Sequence, residues 1–396
     1  MNPVSPLPPL AALLVALGTT VLLVKLFGAP KQEGRFAAID GLRGYLAFFV
    51  FMHHAAIWYF YLRSGEWKAA PSNLYTHFGQ SSVAMFFMIT GFLFFTKLLN
   101  GRRRPIDWLQ LVVSRVLRLA PLYVFAMICL FAIVAAISGG ALNGTGAKLA
   151  KGVVQWMLFT VAGAPDLNGV AQTSNVVARV TWSLPYEWFF YVSLPLLALV
   201  VRVDVPRRYV VLGAVAMALM LVVWRPEVYH LLAFLGGIAA AVVVASGRLD
   251  AVASSRWASG AAIACVAAAI ALFPTAHGVA PLLLISIAFT LIACGASLFG
   301  LLTHAVSRTL GEMAYSIYLL HGIVLFVFFH WLPGLGLALP DSAWVHWALV
   351  VGLTPVLIGL SFLTFSGIEK PAMRNTARVT QWLRVRFGKK VSPVPV

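Results

Sequence analysis

Long apolar segments recur along almost the whole chain, and they constrain the fold more than any other feature. Each is close to the length that an α-helix needs to cross a hydrocarbon core of about 30 Å. We therefore predict an all-α, polytopic transmembrane helix bundle with about eleven spans. The candidate spans fall near residues 8–28, 42–62, 79–99, 115–138, 184–201, 209–224, 229–246, 258–273, 281–301, 312–332 and 344–367.

The composition agrees with a membrane protein. Mean hydropathy is +0.90 and 10% of the residues are charged, whereas about a quarter are charged in a soluble globule. The net charge of +17 would suggest nucleic acid in a soluble protein, but in a multi-span protein positive residues mark the cytoplasmic loops. We expect membrane lipids around the protein and no nucleic-acid partner. Cys129, Cys265 and Cys294 lie in apolar segments without paired spacing, so we predict neither disulfide nor metal site.

Lys and Arg are distributed unevenly between the two sides of this arrangement. One side collects 23 of the 29 basic residues and the other side has six. Because cytoplasmic loops are enriched in basic residues, the N-terminus is predicted outside and the C-terminus in the cytoplasm. No basic residue precedes the first apolar run, so we expect residues 10–26 to remain as a span rather than to be cleaved as a signal peptide.

The chain divides into three predicted parts. Residues 1–34 form an additional N-terminal span with a cytoplasmic linker, 35–371 form the main membrane domain, and 372–396 form a basic tail that we expect to face anionic lipid headgroups. The segment 138–180 is the longest loop on the outer side, and loops of that length are usually functional. Its apolar patch, 153–162, is too short to span and is predicted to be re-entrant or interfacial.

Two polar side chains interrupt the second span. Arg43 lies about one turn from the cytoplasmic end, and His54 lies eleven residues further, roughly 16 Å deeper at 1.5 Å per residue. Ionisable residues inside a span suggest a functional site. A cation near the rim and a deep imidazole fit a substrate with an anionic head and a long arm, and the imidazole suits a general base for a hydroxyl. The alternative is a snorkelling arginine and a structural histidine. His53 points about 100° away and is the weaker candidate.

Five stretches in register resemble the membrane acyltransferase-3 family, which includes the O-acetylases of bacterial surface polysaccharides. They are DGLRG at 40–44 with His54, FFMITGFL at 86–93, RVLRLAPLY at 115–123, TWSLPYEWFFY at 181–191 and LGEMAYSIYLLH at 310–321.

The resemblance implies transfer of an acyl group, usually acetyl, from cytoplasmic acyl-CoA (acetyl-CoA) as co-substrate, with no metal. The acceptor would be a hydroxyl of a periplasmic or cell-surface glycan or glycolipid, and the enzyme would lie in the bacterial inner membrane. Arg43 would bind or position the donor and His54 would act in catalysis. The family often has Ser where this chain has Thr90, and a basic residue where it has Ser114. The first span is additional to the usual ten-span core.

The other motif residues receive roles from their chemistry and position. Arg115 and Arg118 share one helix face and suit the phosphates of CoA; we assign them, with Tyr123, to the donor site. Glu187 is predicted about one turn into its span from the outer face. There it could orient the catalytic imidazole, hold the acceptor or pair with a buried arginine.

A third group is assigned to substrate binding. Tyr315, Tyr318 and His321 follow one another at three-residue steps on one helix face, and His321 approaches the depth of His54. Trp182 and Ser183 are placed at the acceptor. A structural hydrogen-bonded seam and an ordinary aromatic belt explain the same residues almost as well. Asp40 is also close enough along the chain to pair with Arg43.

Two hypotheses follow. The first is an acyl-CoA-dependent O-acyltransferase in which Arg43 and His54 line one continuous tunnel. The second is a glycolipid or small-molecule transporter or flippase that uses the intramembrane His and Glu, although no two similar halves are visible. A catalytically idle scaffold would leave Arg43 and His54 unexplained. The acceptor, the acyl length, direct transfer against an acyl-enzyme, a separate acyl-transferring partner protein and the oligomeric state all stay open.

Overall fold

The computed structural model describes residues 2–29, 36–249, 255–331 and 342–387, and within them the structure is helical without β-strands. This confirms the predicted all-α bundle. The helices are α1 (Leu7–Phe27), α2 (Ala37–Ser64), α3 (Asn73–Gly101), α4 (Trp108–Ile137), α5 (Gly146–Met157), α6 (Ser183–Val200), α7 (Arg207–Val223), α8 (Val228–Ser246), α9 (Arg256–Leu272), α10 (Val279–Cys294), α11 (Ala305–Glu312), α12 (Ala314–Trp331), α13 (Ala343–Thr364), α14 (Lys370–Arg374) and α15 (Thr376–Phe387). Two 3₁₀ turns, Thr173–Val177 and Val180–Trp182, precede α6, and a π-helical turn, Phe365–Glu369, follows α13.

Every predicted window overlaps at least one of these helices. Eight helical segments of the described chain are long and apolar enough to cross a membrane, so the protein is an integral membrane protein. Helices α7, α9 and α10 are shorter, at 16 or 17 residues. The number of eleven spans and the orientation of the termini therefore stay predictions. The window 281–301 is too long, because α10 ends at Cys294 and Gly295 adopts a φ of 129°, which glycine tolerates best.

Some sequence predictions concern residues outside the described ranges. The linker of the N-terminal part is described only to residue 29, and the basic tail only to residue 387. Four of the basic residues counted for the orientation also lie outside, namely Lys31, Arg35, Lys389 and Lys390.

Helix α2 packs closely on α11 and on the turn before it, because glycines stand at the contact. A Cβ atom on Gly41 would lie 1.9 Å from the carbonyl oxygen of Leu302, and one on Gly311 would lie 1.8 Å from that of Asp40. A Cβ on Gly44 would come within 2.7 Å of the Gly311 backbone nitrogen. Small residues let helices in membranes approach this closely. The two glycines of DGLRG are therefore packing residues that fix the start of α2.

Helices α2, α3 and α12 form the centre of the bundle, since 67%, 67% and 72% of their most apolar windows are buried. The additional helix α1 is peripheral, with 17% of its window buried. The segment before α1 is nevertheless held in place by two hydrogen bonds. Trp347 Nε1 donates to the Pro3 carbonyl at 2.9 Å, and the Tyr75 hydroxyl donates to the Ser5 carbonyl at 2.8 Å.

The long loop between α4 and α6 reaches into the bundle. Its 3₁₀ segment packs on the middle of α12, where a Cβ on Gly322 would lie 2.3 Å from the carbonyl carbon of Val177. Val176, Val177 and Val180 are buried. The patch 153–162, predicted to be re-entrant or interfacial, spans the end of α5 and the turn after it. The segment that enters the bundle is thus residues 173–182.

Candidate active site

Two cavities lie along α2. The first, here the histidine cavity, measures about 670 Å³ and is lined by His53, His54, Gln80, Arg179, Trp182, Tyr186, Glu227, His230 and His277, among others. The second, here the arginine cavity, measures about 340 Å³ and is lined by Arg43, Thr90, Arg115, Arg118, Ser183, Glu187, Tyr191 and Tyr315, among others. Val83 and Tyr318 line both cavities.

Arg43 and His54 therefore open onto different cavities, and the single continuous tunnel predicted from the sequence is wrong in this respect. The cavities adjoin at a shared wall formed by Val83 and Tyr318. The Tyr318 hydroxyl is 2.8 Å from the Ser183 hydroxyl and donates to the Val180 carbonyl at 3.1 Å. The loop segment that enters the bundle thus holds one side chain of the wall in place.

His54 forms a hydrogen-bonded pair with His321. The two rings meet through His54 Nδ1 and His321 Nε2 at 3.0 Å, and His321 Nδ1 lies 3.0 Å from the Ile317 carbonyl oxygen. A carbonyl only accepts, so His321 Nδ1 carries the proton and its Nε2 accepts from His54 Nδ1–H. The same Nδ1–H also lies 3.0 Å from the Val50 carbonyl oxygen, which supports the same tautomer. The hydrogen-bond network thus assigns the neutral His54 a free electron pair on Nε2. This nitrogen can take a proton from a ligand in the histidine cavity.

His321 has a different place from the one predicted. It is fully buried, it is not among the residues that line either cavity, and its hydrogen-bond partners are His54 and the Ile317 carbonyl. On the other side of His54, the Trp67 ring stacks at 6.3 Å between centroids with an interplanar angle of 27°. The imidazole of His54 is thereby held in one orientation.

The arginine cavity carries three guanidinium groups. Arg43 has no hydrogen bond or ion pair with another described residue, so its donors are available to a ligand. Arg115 Nε donates to Ser114 Oγ at 3.3 Å, and its guanidinium lies over the Phe94 ring at 5.0 Å. The serine at the position where the family often has a cation thus orients the arginine beside it. Asp40 is near enough for its charge to act on Arg43, as predicted, but the two side chains form no ion pair within 4 Å.

Glu187 lines the arginine cavity and not the histidine cavity. The reason is the entering loop, because α6 begins only at Ser183, already beside the shared wall. One turn further, Glu187 accepts a hydrogen bond from the Tyr191 hydroxyl and shares its cavity with the arginines. One role considered for Glu187 was to orient the His54 imidazole, but the hydrogen-bond partners of His54 Nδ1 are His321 and the Val50 carbonyl.

Glu369 is a charged residue of this region that the sequence analysis missed. It is fully buried in the π-helical turn after α13. Its carboxylate accepts a hydrogen bond from the Ser316 hydroxyl and forms an ion pair with Arg118 Nη1 at 3.5 Å. An acidic residue just beyond the last apolar run was the available signal. Glu369 therefore neutralises Arg118 from behind the cavity.

The remaining predicted site residues separate between the cavities. Trp182, at 41% exposed, lines the histidine cavity, whereas Ser183 and Tyr315 line the arginine cavity. Tyr123, assigned to the donor site, is not among the lining residues of either cavity. Its hydroxyl donates to the Trp156 carbonyl at 2.5 Å, and its ring stacks on Phe159 at 4.3 Å. These contacts join the loop between α4 and α6 to α4, so we interpret Tyr123 as a structural residue.

Comparison with known proteins gives one family. The family model of acyltransferase-3, described as an acyltransferase domain, matches residues 36–366. No curated protein and no solved structure matches significantly. The matched range is well over half of the 396 residues and contains His54, His321 and the three arginines. The chain, a helical integral membrane protein with these two adjoining cavities, belongs to the membrane acyltransferase-3 family.

Proposed function

We propose that this membrane acyltransferase transfers an acyl group, acetyl in the simplest case, from cytoplasmic acyl-CoA to a hydroxyl of a glycan or glycolipid on the outer side of a bacterial inner membrane. The observation that carries the proposal is the pair of cavities with a shared wall: one presents three guanidinium groups and the other the basic nitrogen of His54. The donor occupies the arginine cavity and the acceptor the histidine cavity.

The charges of the arginine cavity support a phosphate-bearing donor. Arg43, Arg115 and Arg118 face one lining carboxylate, Glu187, and a second carboxylate, Glu369, is buried behind Arg118. Guanidinium groups form strong, charge-assisted hydrogen bonds with phosphate oxygens. A cavity of about 340 Å³ suits the acyl-pantetheine arm, and the nucleotide would remain at the cavity mouth.

The chemistry requires one base at the place where the substrates meet. His54 Nε2 takes the proton of the acceptor hydroxyl while the oxygen attacks the thioester carbonyl carbon. The C–S bond breaks, the ester forms, and the proton passes from His54 to the departing thiolate to give free CoA. Because His54 and the arginines line different cavities, the acyl end of the donor passes the Val83–Tyr318 wall to reach the hydroxyl.

Replacement of Arg43 tests the donor site. We expect Arg43→Ala to raise the KM for acetyl-CoA roughly tenfold to a hundredfold, because it removes a charge-assisted contact. Purified protein in detergent is incubated with radiolabelled acetyl-CoA and a sugar acceptor, and free CoA and labelled ester are measured. Arg103→Ala is the matched control, since Arg103 is exposed and outside both cavities. An unchanged KM in Arg43→Ala would move the donor elsewhere, and a transporter would form no labelled ester.

Replacement of His321 tests the orientation of the base. We expect His321→Leu to lower kcat roughly tenfold to a hundredfold, the effect of removing one buried hydrogen-bond partner, because His54 Nδ1–H then keeps only the Val50 carbonyl. Either KM should change little. His321→Gln is the matched variant, because its amide oxygen can accept from His54 Nδ1–H as the imidazole does. The assay is the same release of CoA. Equal losses in the two variants would indicate a packing role for His321.

A further inference from the structure

His53, the neighbour of the proposed base, also presents a basic nitrogen to the histidine cavity. Its Nδ1 lies 2.7 Å from the Tyr75 carbonyl oxygen. Since a carbonyl only accepts, Nδ1 carries the proton and the neutral ring has its free electron pair on Nε2. No described residue donates a hydrogen bond to this atom, and His53 lines the cavity.

The chain makes room for this ring. A Cβ atom on Gly79 of α3 would lie 2.6 Å from His53 Cδ2 and 2.8 Å from Nε2. A larger residue at position 79 would push the imidazole away from its place in the cavity wall. The glycine at position 79 of α3 thus leaves space for the imidazole of His53 at the wall of the cavity.

The two imidazoles together form a site for two hydroxyl groups. The ring centroids of His53 and His54 are 4.9 Å apart, and the ring planes meet at 74°. Each ring offers one accepting nitrogen to the same cavity. With hydrogen bonds of about 2.8 Å, two such nitrogens can be reached by hydroxyls on neighbouring carbons of one molecule. A molecule with a single hydroxyl would leave one nitrogen without a donor.

We propose that His53 Nε2 accepts a hydrogen bond from a second hydroxyl of the acceptor, adjacent to the hydroxyl that His54 deprotonates. The acceptor site then selects molecules with two neighbouring hydroxyls, such as a sugar ring or a glycerol group. This inference rests on the proposed function, because it assumes that the histidine cavity binds the acceptor. His53 is a specificity-determining residue in this arrangement, and His54 remains the base.

Two variants separate this role from a structural one. His53 Nδ1 donates to the Tyr75 carbonyl, whereas Nε2 is the proposed acceptor of the second hydroxyl, so each nitrogen can be replaced separately. In His53→Asn the amide NH₂ can take the place of Nδ1–H and keep the bond to the Tyr75 carbonyl, but the accepting nitrogen is lost. In His53→Gln the amide oxygen reaches toward the Nε2 position and can still accept. A purely structural histidine would tolerate His53→Asn better than His53→Gln, and the proposal expects the reverse.

The test compares methyl hexopyranosides with counterparts that lack one hydroxyl beside the acylated position. Acetyl-CoA is the donor, and kcat/KM for the sugar is measured with each enzyme. We expect the wild-type protein to prefer the complete sugar roughly fivefold to tenfold, as for one hydrogen bond. His53→Asn brings the ratio close to one, with the KM for acetyl-CoA unchanged, and His53→Gln retains part of the preference.

Two results would overturn the inference: a wild-type protein that acylates both sugars equally, or a His53→Asn variant that keeps the preference. Failure of the proposed function is a different result, namely no release of CoA from acetyl-CoA by the wild-type protein. In that event the inference is tested by sugar binding alone, without acetyl-CoA. The complete sugar must raise the melting temperature of the detergent-solubilised protein more than the deoxy counterpart, and His53→Asn must remove the difference; equal shifts overturn the inference.

Discussion

His54→Ala is expected to lower kcat for acyl transfer by roughly a hundredfold to ten-thousandfold, the range that general-base catalysis contributes. The reason is geometric. His321 accepts from His54 Nδ1–H and leaves Nε2 free in the histidine cavity, and an alanine offers no group that could replace it. The initial rate of CoA release with acetyl-CoA and a sugar acceptor measures the effect.

The control for this variant is His330→Ala. His330 lies on the same helix as His321 but is exposed and outside both cavities, so activity should be unchanged. Both variants must elute as folded protein from a sizing column in detergent. A His54→Ala protein that is folded and retains wild-type kcat would exclude His54 as the base and leave the role of the histidine pair to structure alone.

Glu369→Gln is expected to destabilise the protein by about 3–5 kcal/mol, the usual cost of breaking a buried ion pair from one side. Glutamine keeps the size of the side chain and can still accept from Ser316. It removes the charge that faces Arg118 Nη1 at 3.5 Å, while the Arg118 side chain is only 13% exposed. The partly buried guanidinium is then left without its counter-charge. Thermal unfolding in detergent measures the loss as a lower melting temperature.

A double variant separates the charge from the packing. In Glu369→Gln with Arg118→Gln neither charge remains, so we expect part of the lost stability to return. Glu66→Gln is the control, because the Glu66–Lys68 pair is largely exposed, at 60% and 73%; exposed pairs contribute little, and the melting temperature should not change. A double variant less stable than Glu369→Gln would show that the arginine is stabilised by contacts other than this carboxylate.

The helical fold was predictable because lipid imposes a length on each apolar run, and the predicted windows all overlap helices. Arg43 and His54 were recognisable for a related reason, since polar side chains are costly in a span. The depth of a residue along its helix also follows from the rise per residue. His321 was placed at the level of His54 in this way, and the two rings are in hydrogen-bond contact.

The arrangement of residues from different helices was not predictable from depth. Glu187 was assigned to the acceptor side because α6 was taken to start at the outer surface, whereas the entering loop starts it beside the shared wall. Tyr123 lies near two cavity arginines in sequence, but it is directed to the Trp156 carbonyl. Glu369 contacts Arg118 across 251 positions of the chain. Such pairs depend on tertiary packing, which one sequence does not display.

The wall between the two cavities also matters for the ion gradient across the membrane. A protein with an unbroken water-filled passage from one face of a membrane to the other would conduct protons and ions and discharge the gradient that drives ATP synthesis. Val83 and Tyr318 stand between the two cavities, and the Tyr318 hydroxyl is held there by Val180 and Ser183. In the proposed function, a wall at this place would let an acyl group pass between the cavities without a standing path for ions.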